Sequence, residues 1–310
     1  MATKIVTVVG ASGYLGLKIV EALLAQGARV KALVRATSKR GELESLGVKD
    51  FLVGDLMDPG SLSAALAQGP KADALVACAA GYTGHTKGDD DETDTVGYRY
   101  LVDAAKASGL PRFVLVSILE CDKAAAVPHF YHKYLIEKYL KEKGQPFIAL
   151  RPGAFLDQAR DMVLPRLQKG RYPELFPGVS LGMVYTPDLA RYAALAAVSS
   201  PESALGRSVD IGWASPASGE LLAQAFSKVL GRSISAEPAL PPFVSRFLLP
   251  FLGLFQKGPR EMEAMMRWIG QGVYVSRDTQ AQKELFGELP TVEEAVARYC
   301  RDRDLLPRAG

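Results

Sequence analysis

An α/β fold is predicted, with a doubly wound parallel sheet and a smaller C-terminal lobe. Three observations carry this. Over the first 150 residues, strand-like apolar runs alternate with amphipathic helical runs. Those strand-like runs are almost continuously apolar, as strands covered on both faces must be. After residue 152 the rhythm changes and prolines become frequent.

The elements follow in order. Residues 4–9 form a short run rich in Val and Ile, read as the first strand. Residues 14–25 show helical spacing, with Leu15, Ile19, Leu23 and Leu24 on one side. Strands are expected at 29–34 and 51–53, then a helix over 59–67. Asp58 caps that helix and Pro59 takes its first position. A buried strand follows at 74–77. A helix over 93–108 turns Val96, Leu101, Val102 and Ala105 inward and ends at Gly109. A strand at 113–116, a long helix at 129–143 and a strand at 147–150 complete the first half. Residues 1–152 are therefore the main sheet domain. Residues 153–310 are expected to form mostly a substrate lobe, with some elements returning to the sheet. Helices are expected there at 187–198, 219–230 and 291–301, with a strand near 209–211. Residues 241–255, rich in Pro and Phe, read as core packing of the lobe, with a substrate lid and a membrane-surface patch as alternatives.

Composition narrows the function. The 37 basic and 34 acidic residues nearly cancel, which argues against a nucleic-acid surface. Cys78, Cys121 and Cys300 match neither a zinc nor a redox spacing, and no metal is expected. Reduced cysteines and the lack of a secretory or membrane-spanning pattern point to a cytoplasmic protein, either monomer or homodimer.

The sharpest motif joins the first strand to the first helix: Gly10, Ala11, Ser12, Gly13, Tyr14, Leu15, Gly16. Gly10 suits a tight turn, Gly13 a close backbone approach to a pyrophosphate, and Gly16 close helix packing. The helix N-terminus then faces the phosphates. This is the dinucleotide-binding turn of a Rossmann-type sheet. The second strand ends at Arg35, where an NAD site usually places a carboxylate. Arg35 and Ser38, with Lys39 and Arg40, favour a 2′-phosphate and hence NADP(H) over NAD(H). Ligands sit at the carboxyl ends of such strands. Asp55 and Leu56, then Ala79, Ala80 and Gly81, then Ser117 are expected to line the cofactor. Pro152, Gly153 and Phe155 should pass the nicotinamide, with Phe155 walling the pocket. Glu120 and Cys121 follow the fifth strand and are candidates to face substrate.

These residues resemble the atypical short-chain dehydrogenase/reductases, more narrowly the NmrA-like group. The likeness rests on the glycine turn, on Leu33-Val34-Arg35, on Gly54-Asp55, on residues 128–133 with Glu137, and on residues 150–155. It spans residues 4 to about 211. Better-known members carry a Ser and a Tyr-x-x-x-Lys pair. The literal match, Tyr134 to Lys138, is out of register. Lys133 stands four residues before Glu137 and eighteen before Arg151, as the family spacing implies. The resemblance then puts His129 at the tyrosine position and Ile118 at the serine position. Lys133 is expected to bind the ribose hydroxyls. A histidine, with an ordinary pKa of about 6.5, suits proton transfer, so Lys133 and His129 are the catalytic candidates. The implied function is an NADPH-dependent reductase of a small apolar carbonyl, enone or quinone. The alternative is a non-catalytic NADP(H)-sensing regulator, as some members of the group are.

Overall fold

A computed structural model describes residues 3–80, 92–157, 162–241 and 243–306. The first six strands are β1 (Ile5–Val9), β2 (Arg29–Val34), β3 (Asp50–Val53), β4 (Ala74–Ala77), β5 (Phe113–Val116) and β6 (Phe147–Pro152). Five follow: β7 (Ala154–Phe155), β8 (Arg171–Glu174), β9 (Met183–Val184), β10 (Arg207–Ile211) and β11 (Ser235–Pro238). Seven of them build one sheet in the order β3-β2-β1-β4-β5-β6-β10. All its pairings are parallel. Two-stranded pairs β7-β9 and β8-β11 sit outside it.

Helices cover both faces, as parallel strands require. On one face lie α1 (Tyr14–Ala25) and α7 (Thr186–Val198). Ile19, Val20 and Leu23 of α1 share a core with Val6, Val8 and Ala32. The row Ala190, Ala193, Ala194, Ala196 and Ala197 belongs to the same core, and its small side chains let α7 approach closely. On the other face are α3 (Pro59–Leu66), α4 (Tyr98–Ala107) and α5 (Pro128–Glu142). Leu62, Leu101 and Leu140 there pack on Val9, Leu33 and Leu75. Alternate residues of one strand thus feed opposite cores: Val8 one way, Val9 the other.

The N-terminal signals act as their chemistry suggests. Asp58 Oδ1 accepts from the Gly60 and Ser61 amides and starts α3. A π-turn at Thr93–Gly97 leads into α4. The sheet does not end with the first half of the chain, since β10 pairs with β6 from Arg207↔Ile148 to Ile211↔Pro152. Gln282, on α11 (Gln280–Phe286), bonds both the amide and the carbonyl of Gly212 and docks that helix behind β10.

A third core belongs to the C-terminal lobe. It joins Phe226 of α8 (Gly219–Leu230), Trp268 of α10 (Lys257–Ile269) and Tyr299 of α12 (Val292–Asp302) to Phe130 and Tyr274. The expectation for residues 241–255 is corrected here. The segment is helical, through a π-turn at Val244–Leu248 and α9 (Leu249–Gly253), yet its phenylalanines point to solvent. Its apolar periodicity is real. It marks an outward face, because the lobe's core is already filled from other elements.

Candidate active site

The glycine turn crosses from β1 to α1 beside the end of β4. Gly10 has φ +88°, a left-handed backbone suited to glycine. A Cβ there would lie 2.7 Å from the Ala79 amide nitrogen. At Gly16 it would lie 2.0 Å from the Gly10 carbonyl oxygen. Both glycines are therefore demanded by the protein's own packing. Gly13 is different: a Cβ would meet only the Gly10 oxygen, at 3.4 Å. Its outer side is open, which suits close approach by a group from outside the chain. No side chain caps α1, and its first turn carries no acid. Its N-terminal amides are left for an anion.

Arg35 stands just past β2 with its side chain exposed, and Lys39 is exposed beside it. Ser38 Oγ accepts from the Arg35 amide at 3.1 Å and shapes this turn. Arg40 lies over the Phe51 ring, 5.1 Å from its centroid, and is engaged there. These residues fit a dinucleotide with a 2′-phosphate: an uncapped helix start, an open glycine and a free guanidinium. Asp55 Oδ1 is spent on the Met57 amide, and Leu56 is buried against Gly97, so this pair shapes its own loop. Gly81 lies outside the described residues.

Lys133 enters from α5. Its ammonium is buried, 2.7 Å from Asp94 Oδ1 and 3.3 Å from the Ala79 carbonyl oxygen. It also lies over the Tyr98 ring, 4.2 Å from the centroid. Tyr98 donates its hydroxyl to the same Ala79 carbonyl. Burial disfavours the charge, but Tyr98 and Asp94 outweigh it and hold the Lys133 pKa above the ordinary lysine range. Lys138, of the literal Tyr-x-x-x-Lys match, is exposed on another side of α5.

His129 is one turn before Lys133, so the two share a face of α5. It meets Phe130 edge to face, with centroids 4.7 Å apart. Phe130 in turn packs on Trp268 and Tyr274, at 5.8 and 5.5 Å. Ile118 joins the same apolar cluster. The wall next to His129 is therefore aromatic and dry. Phe155 is half-buried on β7, beyond Pro152 and Gly153. A Cβ on Gly153 would sit 2.2 Å from the Gly182 carbonyl oxygen, so this glycine is set by the β6–β7 crossing.

Other candidates turn inward. Ser117 donates to Glu137 Oε1 at 2.5 Å. Glu137 also accepts from Arg151 Nη2 at 2.6 Å and Ser208 Oγ at 2.7 Å, tying α5 to β5, β6 and β10. Cys121 is fully buried beside them, and burial pushes its thiol up to about 12. Glu120 is buried and paired with Lys123 and Arg277. Cys121 is held in the buried network by Ser117 and Glu137, and Glu120 is held by its own ion pairs with Lys123 and Arg277.

Sequence reasoning missed two groups. One is Asp94 with Tyr98, which hold Lys133 from 39 and 35 positions away. The other ties the glycine turn to the C-terminal end. Tyr14 donates to Asp157 Oδ2 at 2.7 Å, and Arg303 donates to the Tyr14 oxygen at 3.0 Å. Asp157 Oδ1 accepts from the Thr186 amide at 2.9 Å. Burial and the Asp157 charge push the Tyr14 hydroxyl up to about 12.

A model of the NmrA-like family matches residues 2–296. The chain belongs to the NmrA-like family. The photosystem II assembly factor Ycf39 of Cyanophora paradoxa is 31% identical over 188 residues, 60% of this chain and 57% of that protein. The chain thus spans just over half the length of this curated relative. Among solved structures, the NADPH-dependent quinone oxidoreductase QOR2 of Escherichia coli, complexed with NADPH, is similar with a TM-score of 0.73. It is 19% identical and covers 95% of this chain and 99% of its own. Triphenylmethane reductase of Citrobacter, complexed with NADP(H), has a TM-score of 0.72 at 20% identity, covering 94% and 99%. At such identities the likeness establishes the fold.

Proposed function

We propose that this NmrA-like protein is an NADPH-dependent reductase of a small apolar carbonyl, enone or quinone. One observation carries the reading: a buried, fixed cation, Lys133, contacts the Ala79 carbonyl beside the glycine turn, while His129, one turn away on the same face, packs on an aromatic cluster. The two similar structures are of reductases that bind NADP(H), which supports it.

NADPH, when bound, supplies the hydride. The protein's own residues do the rest. The α1 amides and the open side of Gly13 receive the pyrophosphate. Ser12, Tyr14 and Leu15 add backbone around it, and Arg35 and Ser38 take the 2′-phosphate. Ala79 and Ala80 leave room for the cofactor's middle. Lys133 keeps its proton across the neutral range, so it binds and orients ribose hydroxyls and does not shuttle protons. His129, one turn away, is the proton source for a reduced oxygen. Phe155 and the Phe130 cluster exclude water and favour an apolar substrate.

The test is NADPH oxidation against a panel of quinones, enones and aromatic aldehydes. Lys133→Ala should lose turnover by at least about 100-fold, in line with the loss of one positioned polar contact in a dry site. His129→Gln should lower kcat more than KM. NADPH binding without turnover on any panel member refutes the reductase reading. It would favour the sensor, for which the Tyr14–Asp157–Arg303 link offers a route from the glycine turn to the C-terminal end.

A further inference from the structure

The segment containing α9 shows an apolar face that the fold does not use. Phe243 is 65% exposed, Phe247 64%, Phe251 60%, Leu254 75% and Phe255 74%. Phe243 and Phe247 contact each other, as do Phe251 and Phe255, with ring centroids 6.0 and 5.6 Å apart. The rings thus form one stripe at helical spacing. The segment packs chiefly against α10, so it projects from the body of the lobe. Its open apolar area is on the order of 600 Å², at the top of what a monomer ordinarily shows.

Charge selects the occupant. From residue 238 to residue 260 the chain holds Arg246, Lys257 and Arg260 and no carboxylate. All three cations are exposed. A two-fold interface between copies would bring these like charges toward one another. The border of the stripe is net cationic, with Arg246, Lys257, Arg260 and Arg267 against Glu261, which pairs with Lys257, and Glu263, which pairs with Arg267. An apolar stripe with such a border matches the acyl boundary and headgroups of an anionic bilayer.

We propose that residues 243–255, with the rim of α10, dock the protein on an anionic lipid surface. The phenylalanines enter the headgroup–acyl boundary, and Arg246, Lys257 and Arg260 lie among the phosphates. Among the described residues no helix is long and apolar enough to cross the bilayer. This inference does not depend on the reductase reading.

The experiment is co-sedimentation of the full chain with phosphatidylcholine vesicles, with and without phosphatidylglycerol, at low and high salt. Binding is expected with phosphatidylglycerol and is expected to weaken in high salt. The double variant R246Q/R260Q should partition about 25-fold less, roughly fivefold per cation. The triple variant F247S/F251S/F255S should not bind, while keeping the wild-type melting temperature because these rings are exposed. Wild-type protein that ignores anionic vesicles, or binds them equally after the phenylalanine substitutions, overturns the proposal. So does a wild-type dimer that the triple variant converts to monomer.

Discussion

Replacing Asp94 by Asn leaves the Lys133 ammonium buried against the Ala79 carbonyl and the Tyr98 ring without its counter-charge. At 2.7 Å, an effective dielectric near 20 gives a gross attraction of roughly 6 kcal/mol. Part of that offsets the desolvation of both ions. Breaking a buried pair from one side costs about 3–5 kcal/mol. Asn keeps the shape and an acceptor oxygen, so the expected loss is near the low end, about 3 kcal/mol. Urea unfolding measures it. The pH dependence adds a sharper signature. In the wild type the Lys133 pKa is raised, so its contribution is complete below the unfolded value of about 10.4 and is lost only above it. Stability from this group is therefore flat from neutral pH to about pH 10. In the variant only Tyr98 is left to oppose burial, so the folded pKa drops and is expected to fall below the unfolded one. Stability should then rise with pH across that same interval. Combining Asp94→Asn with Lys133→Met should cost less than the two single losses added, since no buried charge remains. A loss under about 1 kcal/mol with an unchanged pH slope would refute the reasoning.

Three further outcomes are expected. Gly10→Ala forces a left-handed backbone and a clash with Ala79, so it should destabilise the fold by about 1–3 kcal/mol and abolish NADPH binding in a fluorescence titration. Arg35→Glu should leave the melting temperature unchanged but weaken NADPH by about 10- to 100-fold and improve NADH; equal affinities before and after would remove Arg35 from the site. Cys121 and Cys300 are buried, with thiols pushed by that burial up to about 12 and about 11. Both should resist a thiol reagent at pH 8 until the protein unfolds, and rapid labelling of either in the native state would contradict their placement.

Much of the fold is legible locally. Residues 14–25 and 219–230 carry helical spacing, and the structure places α1 and α8 there. Asp58-Pro59 announces α3, and the glycine turn announces itself, because capping and left-handed backbone are decided within a few residues. The family resemblance singles out Lys133 through Glu137 and Arg151, and the structure sets its ammonium 3.3 Å from the Ala79 carbonyl, just past β4. The small pairs β7-β9 and β8-β11 were not legible, since two- to four-residue strands have too little periodicity to read.

What the sequence by itself determined is the alternating plan and the glycine turn between the first strand and the first helix, both written in short-range spacing, together with the family, which is carried by the match over residues 2–296. Tertiary structure alone decided the rest. It chose Asp94 as the partner of Lys133, turned Ser117 toward Glu137, and linked Tyr14 to Arg303 from 289 positions away. It also set the edge position of β10 beside β6 and left the phenylalanines of residues 243–255 outside the core. Partners of buried charges and the burial of an apolar stripe depend on which distant surfaces meet. An apolar helix has the same spacing whether a core or a bilayer covers it.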